Sequence, residues 1–382
     1  MPSSQTSSSR LTTTSARPRR VVLVAGAGRS GTSTFAGILQ RLGVLVPQPE
    51  VVADTTNPRG FSESQWVVDL HDELLARTNV QVGDARPVAW SQTGRLTERD
   101  RLQARVVGWL EEQLALGDEL VIKDPRLSWF LDLWRTSAVR AGAEPSYATM
   151  LRPPAEVVGS KRAHYNRRMD DAHGVAQWVN MMLGTEHRTR GSDRVFVRYH
   201  DLLGDWRTTV SRAGGALHLS GVAEPADDAV RRVEEFVDPG LRRIQLTWDD
   251  LELPSRLEEI ARETWSVLDS FATPEDPGEA HDGEQEAQAR LDELRIAYDA
   301  FYAESEAVAR SSVIAAGTTA RSRTERPDAS APVATAAPRA AGRPAGPVER
   351  LARRTPPRLR ALVPARLRRW ARRRSASRPG NA

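Results

Sequence analysis

Residues 26–33 read Gly-Ala-Gly-Arg-Ser-Gly-Thr-Ser and follow the apolar, β-branched run Val21-Val22-Leu23-Val24-Ala25. A glycine turn between a buried strand and a helix gathers backbone N–H groups at a helix N-terminus, which is where anions bind. Three ligands suit such a loop. Gly26, Gly28 and Gly31 have the GxGxxG spacing of a dinucleotide site, and Glu50 falls where a ribose-binding acid belongs. Pro47 and Pro49, however, crowd the strand that should end in that acid. Gly26 and Gly31 also have P-loop spacing, but Thr32 stands where the phosphate-binding lysine belongs. In the third reading Arg29 precedes the glycine and hydroxyls follow it. That order suits a single 5′-phosphosulfate end.

The segment Arg29-Ser30-Gly31-Thr32-Ser33 resembles the 5′-phosphosulfate loop of sulfotransferases that use 3′-phosphoadenosine 5′-phosphosulfate (PAPS). The resemblance implies that Gly28, Arg29, Ser30, Gly31, Thr32 and Ser33 cradle the 5′ end of the donor. The family holds the 3′-phosphate with an Arg at a strand end and a Ser eight residues later. Arg152 and Ser160 have that spacing here. Four further stretches have a similar look: Asn57–Glu63, Lys123-Asp124-Pro125-Arg126, Val197–Leu203 and Phe236–Pro239. The likeness covers roughly residues 21–245. At position 29 many members carry Lys, and His200 replaces a Glu of the family's pattern. An Arg cannot give up a proton at neutral pH, so Lys123 becomes the candidate for any proton delivered to the leaving group.

Sulfuryl transfer shares the demands of phosphoryl transfer: in-line geometry and neutralised charge on the leaving oxygen. Arg29 and Lys123 are the cations implied for that work. Glu63 is the candidate base for the acceptor, with His71 and His164 as alternatives; Asp124 could orient Lys123. The competing readings are an NAD-binding oxidoreductase built on the glycine loop, a P-loop phosphotransferase, and a non-catalytic scaffold that binds 3′-phosphoadenosine 5′-phosphate (PAP). The acceptor is unread and could be a glycan, a lipid glycan or another small molecule. Its specificity is expected from the less regular segments 44–62, 78–96 and 165–192, with Trp66, Trp129 and Trp178 as candidate lining.

These residues need a frame. Apolar runs predict strands at 21–25, 119–123, 146–151 and 194–198. Helical periodicity falls at 32–42, 63–77, 97–116, 128–139 and 154–168. Strands alternating with helices predict an α/β, three-layer fold with a mostly parallel central sheet of P-loop-like type. The loop, Lys123, Arg152 and Arg198 all follow strand ends, the edge where such sheets bind ligands.

Composition bounds the rest. Twelve arginines lie at 350–382 and four at 1–20, with no acid in either segment, so residues 21–349 carry a net −12 against the chain's +4. A body this acidic argues against a nucleic-acid groove, and more weakly against a polyanionic acceptor. There is no cysteine, and the seven histidines form no metal-binding pattern, so no metal is expected. No apolar run suits a membrane span or a secretory signal, and the expected location is cytoplasmic. The expected organisation is a disordered segment at 1–20, a catalytic domain at 21–275, a charged helix at 276–310, an Ala/Pro/Ser-rich linker at 311–347 and an Arg-rich tail at 348–382. In 348–374 leucines and a tryptophan alternate with arginines, which suits a solvated disordered tail, a segment that lies on anionic lipid at the inner membrane face, or one that binds nucleic acid or another polyanion.

Overall fold

A computed structural model describes residues 18–54, 57–165, 168–223, 225–238, 240, 244–273 and 280–325. The expected linker beyond 325, the Arg-rich tail and the first 17 residues lie outside them. The chain divides into two units at 315/316, and of the second only residues 316–325 are described, as helix.

Four strands make the frame: β1 (Arg19–Ala25), β2 (Glu119–Lys123), β3 (Ala143–Leu151) and β4 (Arg194–Arg198). They lie in the order β2-β1-β3-β4, and every pairing is parallel. A parallel sheet needs helical crossovers, and these cover both faces. Between β1 and β2 run α1 (Thr32–Arg41), α2 (Gln65–Thr78), α3 (Val88–Thr97) and α4 (Asp100–Leu114). A short 3₁₀ turn (Leu127–Phe130) and α5 (Leu131–Arg140) lead to β3. Helices α6 (Pro154–His164) and α7 (Asp171–Thr189) lead to β4. After β4 come α8 (Tyr199–Gly204), α9 (Trp206–Ala216), α10 (Ser220–Ala223), α11 (Asp227–Phe236), α12 (Ser255–Ser270) and α13 (Ala280–Glu325).

Strand side chains alternate between faces, and β1 shows the result. Val21, Leu23 and Ala25 enter one core with α2 to α7, α12 and α13, whereas Val22 and Val24 enter a second with α1 and α8 to α11. All five are essentially solvent-free, so truncating Leu23 to Ala should cost about 2–5 kcal/mol.

Three expectations about elements differ from what forms. The segment 78–96, expected to be irregular, holds nearly all of α3, while the periodicity at 97–116 is α4. The segment 165–192, expected to be irregular, holds the 19-residue α7. This helix is buried on nearly every side and so has no polar stripe to reveal its period. The charged helix runs to Glu325, past the break expected at 310. No helix among the described residues is long and apolar enough to cross a membrane.

Candidate functional site

One cleft of about 670 Å³ opens at the C-terminal edge of the sheet. Residues that end or follow all four strands line it: the loop after β1, Lys123 of β2, Arg152 after β3 and Tyr199 after β4.

The glycine loop is held in this shape from two sides. Gly26 (φ 120°) lies against β3, where a Cβ would come 2.8 Å from the Met150 carbonyl oxygen. Gly31 (φ 90°) caps α1, and a Cβ there would sit 2.1 Å from the Tyr199 ring. Only glycine suits both the angle and the gap. Between them Arg29 is itself left-handed, at φ 75°, an uncommon state for a side chain with a Cβ. That turn brings Arg29 Nε to Ser160 Oγ, to which it donates at 3.0 Å.

Arg152 completes this first cluster. Its Nη1 donates to the Arg29 carbonyl at 3.1 Å, its Nη2 to the Ile244 carbonyl at 3.3 Å, and its Nε to Glu156 at 2.9 Å. The guanidinium also lies 4.9 Å from the centre of the Tyr199 ring. Residues 29, 152 and 160, singled out by spacing, therefore stand together.

The second cluster lies at the start of α1. Lys123 Nζ donates to Ser33 Oγ at 2.7 Å and forms a short ion pair with Glu63. Glu63 is nearly buried, and burial pushes its carboxyl above the ordinary carboxylate range, while Lys123 pulls it back down. Glu63 precedes α2, whose N-cap is Ser64.

Ser30 is placed differently from the other loop residues. Its side chain is fully buried and does not line the cleft, and its N–H already donates to the Ala27 carbonyl at 3.2 Å. It shapes the turn instead of facing a ligand.

The two alternative bases and Asp124 resolve differently. His71 is solvent-free and away from the cleft. The Trp134 indole N–H can only donate, and it donates to His71 Nε2 at 2.9 Å. His71 Nδ1–H therefore donates to Asp124 at 3.1 Å, and no lone pair is left for an acceptor. Asp124 holds His71 and the Arg126 side chain, the latter at 2.7 Å, and does not orient Lys123. His164 does line the cleft. Its Nδ1 donates to the Ser160 carbonyl at 2.9 Å, which leaves Nε2 as the accepting atom.

Arg198 turns from the cleft to Asp269, at 2.6 Å, and its neighbour Tyr199 enters instead. The three tryptophans pack in the core: Trp66 on Trp109, Trp129 on Trp90, and Trp178 near Trp265. Sequence reasoning singles out the stretches that hold Arg59, Arg126 and Tyr199 without giving these residues a role; Arg59 ties the Asn57–Phe61 stretch to the Phe236 carbonyl and to Asp238. It misses Gln177 altogether. Among the described lining residues six are Lys or Arg and two are acids, so an acidic body presents a cationic cleft. The net-charge argument against a polyanionic acceptor therefore does not describe the local charge at this edge.

Glu50 does not reach the cleft. It accepts from Gln40 and Gln48, and the chain near it forms isolated bridges instead of a second strand ending in an acid.

No protein-family model matches the chain, and no curated protein matches it by sequence. Among the solved structures that overlap it are two sulfotransferase domains. One is the sulfotransferase domain from the Synechococcus PCC 7002 olefin synthase, with 17% identity and a TM-score of 0.40, spanning 68% of this chain and 96% of that one. The other is the sulfotransferase domain from the curacin biosynthetic pathway, with 15% identity and a TM-score of 0.37, spanning 68% of this chain and 100% of that one. Overlaps this loose add no weight to a functional reading, which rests on the residues of the cleft.

Proposed function

We propose that the protein is a PAPS-dependent sulfotransferase acting on a hydroxyl or amine acceptor. The observation that carries this reading is the meeting of Arg29, Arg152 and Ser160 at one end of a loop whose other end holds Lys123 on Ser33. Two separate cationic clusters on one loop suit a ligand with phosphate at one end and a transferable anion at the other. A dinucleotide reading leaves Lys123 and Ser160 without work, and Glu50 is engaged elsewhere.

When bound, PAPS supplies the sulfuryl group and a nucleotide leaving group. Arg152 presents guanidinium N–H groups and Ser160 a hydroxyl, a donor set that fits a 3′-phosphate; Arg29, implied at the leaving oxygen, turns to Ser160 and joins this set instead. Thr32, Ser33 and the first-turn N–H groups of α1 receive the 5′ end. Lys123 Nζ would stabilise the charge that grows on the leaving oxygen, and Ser33, which accepts from it, fixes its direction. Glu63 Oε2, the oxygen not bonded to Lys123, would accept the acceptor's proton, for which burial makes this carboxyl a stronger base than an ordinary carboxylate.

The test is transfer of radiolabelled sulfate from PAPS to a panel of sugars, phenols and hydroxylated lipids, with PAP release as the second readout. Label transfer that needs the protein supports the reading. PAP-tight binding with no transfer to any acceptor would favour the scaffold.

A further inference from the structure

The chain has 54 basic Lys and Arg residues, of which two are lysines, and both line the cleft. Lys123 is paired with Glu63. Lys161 is not comparably served. Its ammonium donates to Gln177 Oε1 of α7 at 3.0 Å, a neutral partner, and no carboxylate among the described residues lies within ion-pair distance. His164 stands one turn on along α6, with its Nδ1 turned to the Ser160 carbonyl, and His173 of α7 bonds the Gln177 amide at 2.8 Å. The facing loop brings Gly83 close, so that a Cβ there would lie 3.5 Å from Lys161 Nζ.

Successive helical residues point about 100° apart. Ser160 faces Arg29, so Lys161 faces α7 and the Val82-Gly83 loop. Val82 and Met181 supply apolar lining on this part of the cleft. No donor role is left for these residues, so this wall is free for the acceptor. An amine partly withdrawn from water beside a neutral amide is costly to charge: desolvation brings Lys161 down to about 8. An incoming anion would relieve that cost.

We propose that the acceptor carries an anionic oxygen group apart from its attacking hydroxyl, and that Lys161 Nζ receives this group beside the Gln177 side chain. This inference rests on the sulfotransferase reading for the word acceptor, but the anion site stands on Lys161 and its surroundings.

The test uses ω-hydroxyalkanoates from hydroxybutyrate to hydroxydodecanoate, the matching ω-hydroxyalkyl phosphates and the matching amides. Binding is measured by calorimetry on the full chain, with and without PAP. At about pH 7 the preferred anionic series should bind about tenfold tighter than the amides, as a charge-assisted hydrogen bond provides. A carboxylate or a phosphate preference identifies which anion is meant. Lys161→Met should abolish the preference and leave PAP affinity unchanged. Lys161→Arg should retain it. In the wild type the preference should fade as pH rises through about 8, where the ammonium is lost, whereas in Lys161→Arg it should stay flat. Equal binding of anions and amides would overturn the proposal. So would a loss of PAP affinity in Lys161→Met, which would place the lysine in the nucleotide site. A wild type that prefers the anions yet ignores PAP would defeat the donor reading and leave the anion site standing.

Discussion

Lys123 and Glu63 form an ion pair whose two side chains are 2% and 7% exposed. Removing one partner from a buried pair leaves the other charge stranded, at a cost of about 3–5 kcal/mol. Lys123→Met should therefore destabilise the fold by about that much, and Lys123→Met/Glu63→Gln should recover most of it. Urea denaturation of the four combinations measures the coupling. Additive losses would show that the pair contributes nothing as a pair.

Glu63 should also matter to rate and to pH dependence. As the proposed base it should carry about a hundredfold in turnover, lost in Glu63→Gln; undiminished turnover would remove it from the mechanism. Its raised carboxyl means that the native state keeps this proton to higher pH than the unfolded chain does. The resulting stabilisation is full below the ordinary 4.5 and is lost as pH rises through the raised value. The wild type should therefore lose stability relative to Glu63→Gln over this interval. A difference that is flat with pH would contradict the shift.

Gly31 tests the loop's construction. Alanine there would be strained at φ 90° and would collide with the Tyr199 ring. A destabilisation of about 1–3 kcal/mol is expected, with part recovered when Tyr199→Leu is added. No recovery would show that backbone strain dominates over the ring contact.

His71 should behave as a structural residue. His71→Ala removes the partner of both Asp124 and Trp134 inside the core, which should cost about 1–3 kcal/mol for each group left unsatisfied. The pH profile of turnover should keep its shape at reduced protein stability. A lost acidic limb in that profile would return His71 to the list of bases.

The four strands were legible because short β-branched runs between turns have few other uses, and the residues after them fell at the binding edge as parallel topology requires. The Arg152 and Ser160 spacing was legible because both lie on one strand-to-helix unit. What the sequence hid was long-range. The partners of His71 lie 53 and 63 positions away, so nothing local distinguishes a locked histidine from a catalytic one. Arg198 and Tyr199 are neighbours in a motif, and only the packing of α12 on β4 decides which turns inward. Helix α7 has apolar residues all round, so no stripe marks it. A signal for Lys161 did exist, in the scarcity of lysine, but the two positions meet only when α6 and β2 are brought to one edge.

The donor assignment is tested most directly by thermal shift with PAP, AMP, ATP and NAD, on the wild type and on Arg152→Ala. A ligand at about 100 times its Kd adds about 2.7 kcal/mol, which is a rise of about 5–10 °C in a domain of this size. Selective stabilisation by PAP, absent in a folded Arg152→Ala, is the predicted result. Stabilisation by NAD or ATP instead, or none by PAP, would contradict it and reassign the glycine loop.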